Sequence, residues 1–189
     1  MLKHIETCGR VAWKSEDRTT DDSHISFVNM LKGVNHGSVL EHGTVYLKIK
    51  WYSFITLLFF FFNKHSKVKH WNNITTNYRV LIDNKKEKIL KYQCEPTEFH
   101  EKRVTVKFNC SIGISREFNR HRVHSITEQS TRYCNYSKDK FGNEVTFIKP
   151  VWYINRLDKK DYAGSAEENY EIVLGQAEQN YFALLNCGW

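Results

Sequence analysis

Residues Gly43–Lys50 read GTVYLKIK, with Val45, Leu47 and Ile49 on one face and Thr44, Tyr46 and Lys48 on the other. Period-two alternation of this kind predicts a strand buried on one side only. Arg103–Cys110 (RVTVKFNC) repeats it, setting Val104, Val106 and Phe108 against Thr105, Lys107 and Asn109. Glu144–Ile148 (EVTFI) predicts a third strand, stopped by Pro150. Strands patterned this way favour antiparallel pairing, in which one face of the sheet packs on the core.

The remaining chain supplies helices to cover that face. Residues 4 to 14 predict a short helix with Ile5, Cys8 and Ala12 apolar. Thr19–Ser23 offers N-cap candidates for a second helix, which sets Ile25, Phe27, Val28, Leu31 and Val34 on or near one side. Thr75–Leu90 and Ser111–Arg122 predict two more helices. Ser165–Leu185 predicts the longest, with Tyr170, Val173, Leu174, Ala177, Tyr181 and Leu184 in one stripe. His36–His42, Asn63–Asn73 and Cys94–Glu101 read as loops. The run Trp51–Phe62 (WYSFITLLFFFF) is too short to span a bilayer and reads as a buried strand or hairpin. The expected fold class is α/β of the α+β type: a mainly antiparallel sheet with helices packed on it, forming a single domain over residues 1–189.

The net charge of +7 favours anionic partners such as nucleotides or nucleic acid. Cys8, Cys94, Cys110, Cys134 and Cys187 are widely spaced, odd in number and without a C-x-x-C pair. That pattern points away from zinc and from a disulfide framework, and toward free thiols in a reducing, cytoplasmic setting. The N-terminus has no apolar signal region.

Chemistry concentrates in Arg116–Tyr136. Arg116, Arg120, Arg122 and Arg132 accompany His121 and His124, and no lysine intervenes before Lys138. Ser125, Thr127, Glu128, Ser130 and Thr131 add hydroxyl and carboxylate groups. Arginine without lysine suits planar, bidentate capture of phosphate or carboxylate. The plain alternative is a solvated basic stretch. Ser130 divides similarly between a helix-capping serine and a binding residue, because no triad that would make it a nucleophile is visible.

Arg120-His121-Arg122, seven residues and then Ser130 is a spacing that resembles the signature of the flavin-dependent thymidylate synthases. Thr131-Arg132-Tyr133 and the rest of TRYCNYSKDKFGNEVTFIKP, the loop HGSVLEH at 36–42, and Lys14-Ser15-Glu16-Asp17 also resemble that family. The resemblance covers roughly residues 8 to 46 and 74 to 150. It implies an FAD enzyme that reductively methylates deoxyuridine monophosphate to thymidylate. The one-carbon unit comes from methylenetetrahydrofolate and the reducing power from NADPH. The methyltransferase would be a homotetramer with sites shared between chains.

Carried over residue by residue, the resemblance implies that His36, Ser38, Glu41, Arg120, His121, Arg122, Val123 and Glu128 contact the flavin. It implies that Glu117, Arg120, Glu128, Gln129, Ser130, Thr131 and Arg132 contact the nucleotide, with Ser130 and Arg132 orienting it. No metal is expected, since His36 and His42 around Glu41 fit no common zinc spacing. Nucleic acid is not expected as a partner, because the arginines cluster at one place while the lysines scatter, and membrane is not expected, because the apolar run is too short to span a bilayer. Glu117 stands where some members carry glutamine, and Thr127 replaces a common asparagine. Members continue past a helix like Ser165–Leu185 into an arginine- and asparagine-rich region, which this sequence is expected to lack. The alternatives are therefore a catalytically incomplete fragment that keeps fold and oligomer contacts, or a basic nucleic-acid-binding module.

Overall fold

The computed structural model describes residues 1–49, 54–121, 123–132, 134–149, 160–161 and 164–189. By its internal contacts the chain divides into two compact units. One comprises Met1–Val106 with Arg122–Ser130, the other Lys107–His121 with Thr131–Trp189. The described elements are helical and antiparallel, as the α+β expectation requires.

The first unit is built on a three-stranded antiparallel sheet in the order β1-β3-β2, where β1 is Thr44–Lys48, β2 Lys67–Lys69 and β3 Asn73–Asn77. Val45 lies opposite Thr76 and Leu47 opposite Ile74. Val45, Leu47 and Ile49 are fully buried, so the alternation in Gly43–Lys50 was a sound guide. Around the sheet lie α1 (Leu2–Trp13), α2 (Ser23–Gly33), α3 (Gly37–Leu40), α4 (Phe54–Phe62) and α5 (Tyr78–Asp83). Ile5, Leu31, Phe60, Ile74 and Leu81 complete the core.

Strand β2 corrects the loop expected over Asn63–Asn73, and strand β3 corrects the start of the helix expected over Thr75–Leu90. Its sequence, NITTN, is polar, yet all five residues are buried. Burial is tolerable because most of the polar side chains find partners, the Asn73 Oδ1 atom being the exception. Thr75 Oγ1 accepts from the Glu101 amide at 2.9 Å, and Thr76 Oγ1 pairs with Ser66 Oγ at 2.8 Å. Asn77 Oδ1 accepts from the Val80 amide at 3.0 Å and so caps α5. Only the short α5 and a 3-10 turn over Glu87–Tyr92 are helical in the remainder. Buried His100 fixes the loop before Glu101. Its Nδ1 accepts from the Thr97 amide at 3.0 Å, which leaves Nε2–H to donate to the Leu47 carbonyl at 3.3 Å.

Three further corrections concern local pattern. The described part of the aromatic run is helix α4, not strand or hairpin, since a short apolar run carries no period that separates the two. Residues 51–53 lie outside the described residues. Arg103–Cys110 and Glu144–Ile148 join no ladder among the described residues, and Val104, Val106 and Phe108 are exposed. Alternation without a strand alongside leaves no sheet to join. In α2 only Val28 and Leu31 are buried, whereas Ile25 and Val34 face solvent.

One ion pair ties α1 to α2. Arg10 Nε and Nη2 donate to the same Glu6 oxygen at 2.8 and 2.6 Å, and Ser23 Oγ donates to it at 2.7 Å. Arg10 Nη1 reaches the Ser15 carbonyl at 3.2 Å, and its guanidinium lies 4.8 Å from the Phe27 ring centre. Glu6 is 1% and Arg10 7% exposed. Charges this buried are tolerated only when their hydrogen bonds are filled.

The second unit holds α6 (Ile112–Phe118), a 3-10 turn at Asp139–Phe141, the short pair β4 (Lys160–Asp161) and β5 (Gly164–Ser165), and α7 (Ala166–Asn186). Ser165 opens α7 with a capping box. Its hydroxyl accepts from the Glu168 amide at 3.2 Å, and Glu168 accepts from the Ser165 amide at 2.7 Å. Segment 134–145 packs on α7 through Tyr136, whose ring meets that of Tyr181, and Cys134 and Phe141 are buried. The Val145 amide donates to Glu178 Oε1 at 2.6 Å, a side-chain partner in place of a strand. On α7, Tyr170, Leu174 and Tyr181 are half-buried, but Val173, Ala177 and Leu184 from the expected stripe are exposed.

Replacing one member of the buried pair should strand its partner. Arg10→Met is expected to lower the unfolding free energy by about 3 kcal/mol. The double variant Glu6→Met/Arg10→Met should recover much of that loss. A double-mutant cycle by urea denaturation reads both.

Candidate functional site

Within the first unit, segment 123–130 lies against the His36–His42 turn and the end of α1. The organising group is Glu41. Its Oε1 accepts from Arg79 Nη1 at 2.6 Å and its Oε2 from Ser125 Oγ at 2.5 Å. Arg79 also donates from Nε to Asp83 Oδ2 at 3.1 Å within α5. Hydrogen bonding to Glu41 raises the Arg79 pKa, with Asp83 adding to it.

The sequence makes room for this arrangement at Gly37. A Cβ there would stand 2.9 Å from Arg79 Nε and 3.2 Å from its Cζ, so any side chain would displace the guanidinium. Two residues later in the segment, Thr127 Oγ1 pairs with His42 Nε2 at 3.0 Å. Burial pushes the His42 pKa down, helped by the nearby His4, while Glu41 opposes the shift. At the segment's end, the Ser130 amide donates to the Ala12 carbonyl of α1 at 2.9 Å. Beside that contact Trp13 stacks on His36, with ring centres 5.4 Å apart.

The expected flavin and nucleotide residues therefore divide. The first unit brings His36, Ser38, Glu41, Glu128, Gln129 and Ser130 into one neighbourhood. Ser38 is exposed, residues 125–130 are half-buried, and Val123 is almost wholly exposed. Both Glu41 oxygens are engaged inside the protein. The Ser130 amide is also engaged.

The second unit holds Glu117, Arg120, His121, Thr131 and Arg132. Arg120 Nη1 donates to Glu117 Oε2 at 3.1 Å just beyond α6, and both side chains are exposed. The Glu117 carboxylate thus has the neighbouring arginine as its counter-charge. Thr131 and Arg132 are exposed. Arg122 lies outside the described residues.

Several site-shaping residues escaped the sequence reading. Arg79 lies 38 positions from Glu41, and nothing in local spacing links them. Ser125 lies 84 positions away, and Trp13 stood only as part of an amphipathic helix. Thr127 stood as a departure, yet its hydroxyl is what His42 requires. No cluster of three or more His, Cys, Asp or Glu suited to a metal occurs among the described residues, and no helix among them is long and apolar enough to cross a membrane.

Two outcomes test this geometry. Glu41→Ala should lower stability by about 1–2 kcal/mol and speed amide exchange over residues 125–130 more than elsewhere in the unit. Gly37→Ala should reproduce the local exchange effect by moving Arg79. Hydrogen-exchange mass spectrometry reads both.

His42 gives a pH signature. Its folded pKa lies below the ordinary histidine value, so the stability it confers is present above about pH 6.5 and is lost as pH falls through the folded value. His42→Gln should flatten the decline in Tm between about pH 7.5 and 5.5.

A search of curated proteins and a search of solved structures return no match. The family model described as "Thymidylate synthase complementing protein" matches residues 64–189, more than half of the chain, and takes in α6, the arginine-rich segment and α7. The chain belongs to this family, the flavin-dependent thymidylate synthases, and with membership comes thymidylate synthase activity in general and deoxyuridine monophosphate as substrate.

Proposed function

We propose that the chain serves FAD-dependent reductive methylation of deoxyuridine monophosphate, drawing on methylenetetrahydrofolate and NADPH, as a self-associating enzyme of the homotetrameric type. The observation that supports this reading is the anchoring of segment 123–130, at Glu41, His42 and Ala12, within a chain that the family model matches.

The residues fit a flavin in kind. His36 already stacks on Trp13 as a flat surface, and Ser38 and Val123 are exposed beside the anchored segment. When bound, the flavin supplies the hydride that reduces the transferred carbon to a methyl group. His36, Ser38 and Val123 would hold it in the first unit. Glu41 acts one step back in this reading. With both oxygens committed, it positions residues 125–130 and leaves flavin contact to its neighbours.

For the nucleotide, Arg132 offers an exposed guanidinium to a phosphate dianion, and Ser130 adds a hydroxyl donor. Gln129 and Thr131 offer further donors. Glu128 can accept from a ribose hydroxyl or a uracil N–H. Glu117 is paired with Arg120, which limits its repulsion of phosphate.

The test uses purified chain, FAD and deoxyuridylate tritiated at the carbon that receives the methyl group. Flavin retention on gel filtration and tritium release with the co-substrates are expected. Protein that stays colourless and releases no tritium overturns the reading. Arg132→Ala should weaken nucleotide binding about ten- to a hundredfold, while Ser130→Ala should weaken it about tenfold or less. Isothermal titration with deoxyuridylate separates the two.

A further inference from the structure

Helix α4 is apolar on two sides. Phe60 is fully buried in the core. Phe54, Ile55, Leu58, Phe61 and Phe62 instead stand 63, 83, 38, 67 and 78% exposed. At ~100° per residue these five fill about 120° of arc, and Phe60 falls outside it. The exposed residues are therefore one continuous stripe, not scattered apolar side chains, and a stripe of this kind marks an interaction surface.

Charge indicates what covers it. Between Glu41 and Asp83 the sequence has no Asp or Glu and carries Lys48, Lys50, Lys64, Lys67, Lys69 and Arg79. Strand β2, with Lys67 and Lys69, packs against α4, and Trp71 just after it is 83% exposed. Lys69 is shared with Glu101 at 2.8 Å, while Lys64 and Lys67 are exposed. A second copy suits this surface poorly. A nine-residue helix covers far less than the about 800 Å² per partner of a stable contact, and a two-fold axis would set the basic flank against itself. Phenylalanines on one face, with lysine and tryptophan close by, suit a helix lying in the plane of a negatively charged bilayer surface.

We propose that α4 and the segment Lys64–Trp71 dock the protein peripherally on an anionic lipid surface. The stripe enters the boundary between headgroups and acyl chains, and the lysines meet lipid phosphates. The absence of a membrane partner, expected from the shortness of the apolar run, applies to spanning. A helix lying in the interface needs no such length. None of the residues assigned to flavin or nucleotide belongs to this surface, so the proposal stands apart from the catalytic reading.

The test is co-sedimentation of the full chain with vesicles of phosphatidylcholine alone and of phosphatidylcholine mixed with phosphatidylglycerol. Binding to the mixed vesicles, weakened by salt, is expected, with little on phosphatidylcholine alone. Ile55→Ser/Phe62→Ser should lower the vesicle-bound to free ratio about tenfold or more. Because both positions are exposed, its circular dichroism and Tm should match the parent, and Ile55→Ser alone provides a milder version. Lys64→Gln/Lys67→Gln should weaken binding several-fold on the anionic vesicles only. The proposal is overturned if the parent stays in the supernatant with anionic vesicles, or if the stripe variant binds as the parent does. It is equally overturned if the variant converts an oligomer into a smaller species while neither form binds vesicles, which would make the stripe a subunit contact.

Discussion

Both oxygens of the Glu41 carboxylate are committed, one to Arg79 on α5 and one to Ser125 at the start of the half-buried segment. A carboxylate divided this way joins three stretches of chain through one rigid group. The turn that carries it follows from α3, the arginine is placed by the Asn77 cap of α5, and the space for the guanidinium is left by Gly37. Charge-assisted hydrogen bonds are short and directional, so Ser125 is fixed in position as well as held. Thr127 on His42 and Ser130 on α1 then follow at intervals of two and three residues. Together these anchors make a fixed ledge of a stretch that has no regular secondary structure.

The anchors come largely from outside the region that the family model matches. Ala12, Glu41 and His42 precede residue 64, whereas Ser125, Thr127 and Ser130 lie within it. The recognisable motif therefore rests on an N-terminal portion that the family description does not reach. Within that portion Glu41 has both carboxylate oxygens engaged, by Arg79 and by Ser125.

What the sequence revealed follows from how each part is held. Strand β1 was legible because one face is apolar and buried and the other is not. Strand β3 was hidden because its side chains are polar, and their burial depends on partners at Ser66, Val80 and Glu101. Arg103–Cys110 has true strand alternation, but pattern states only what a strand would look like, not whether a neighbour is there to receive it. Helix α4 was misread because an apolar run without polar interruptions has no phase. At the site, the spacing from Arg120 to Ser130 was visible in one dimension. The reach from Glu41 to Arg79 and Ser125 was not, since separations of 38 and 84 positions leave no local trace.

The polarity of β3 also bears on the life of the chain before it folds. A central strand is usually among the most apolar pieces of a domain, and an unfolded apolar strand is a template for aggregation. NITTN offers no such template while the chain is being synthesised. Its two apolar-faced neighbours in the core, β1 and α4, emerge before it. They must wait for a segment that water solvates well. The centre of the sheet is therefore a piece little prone to stick elsewhere before it pairs.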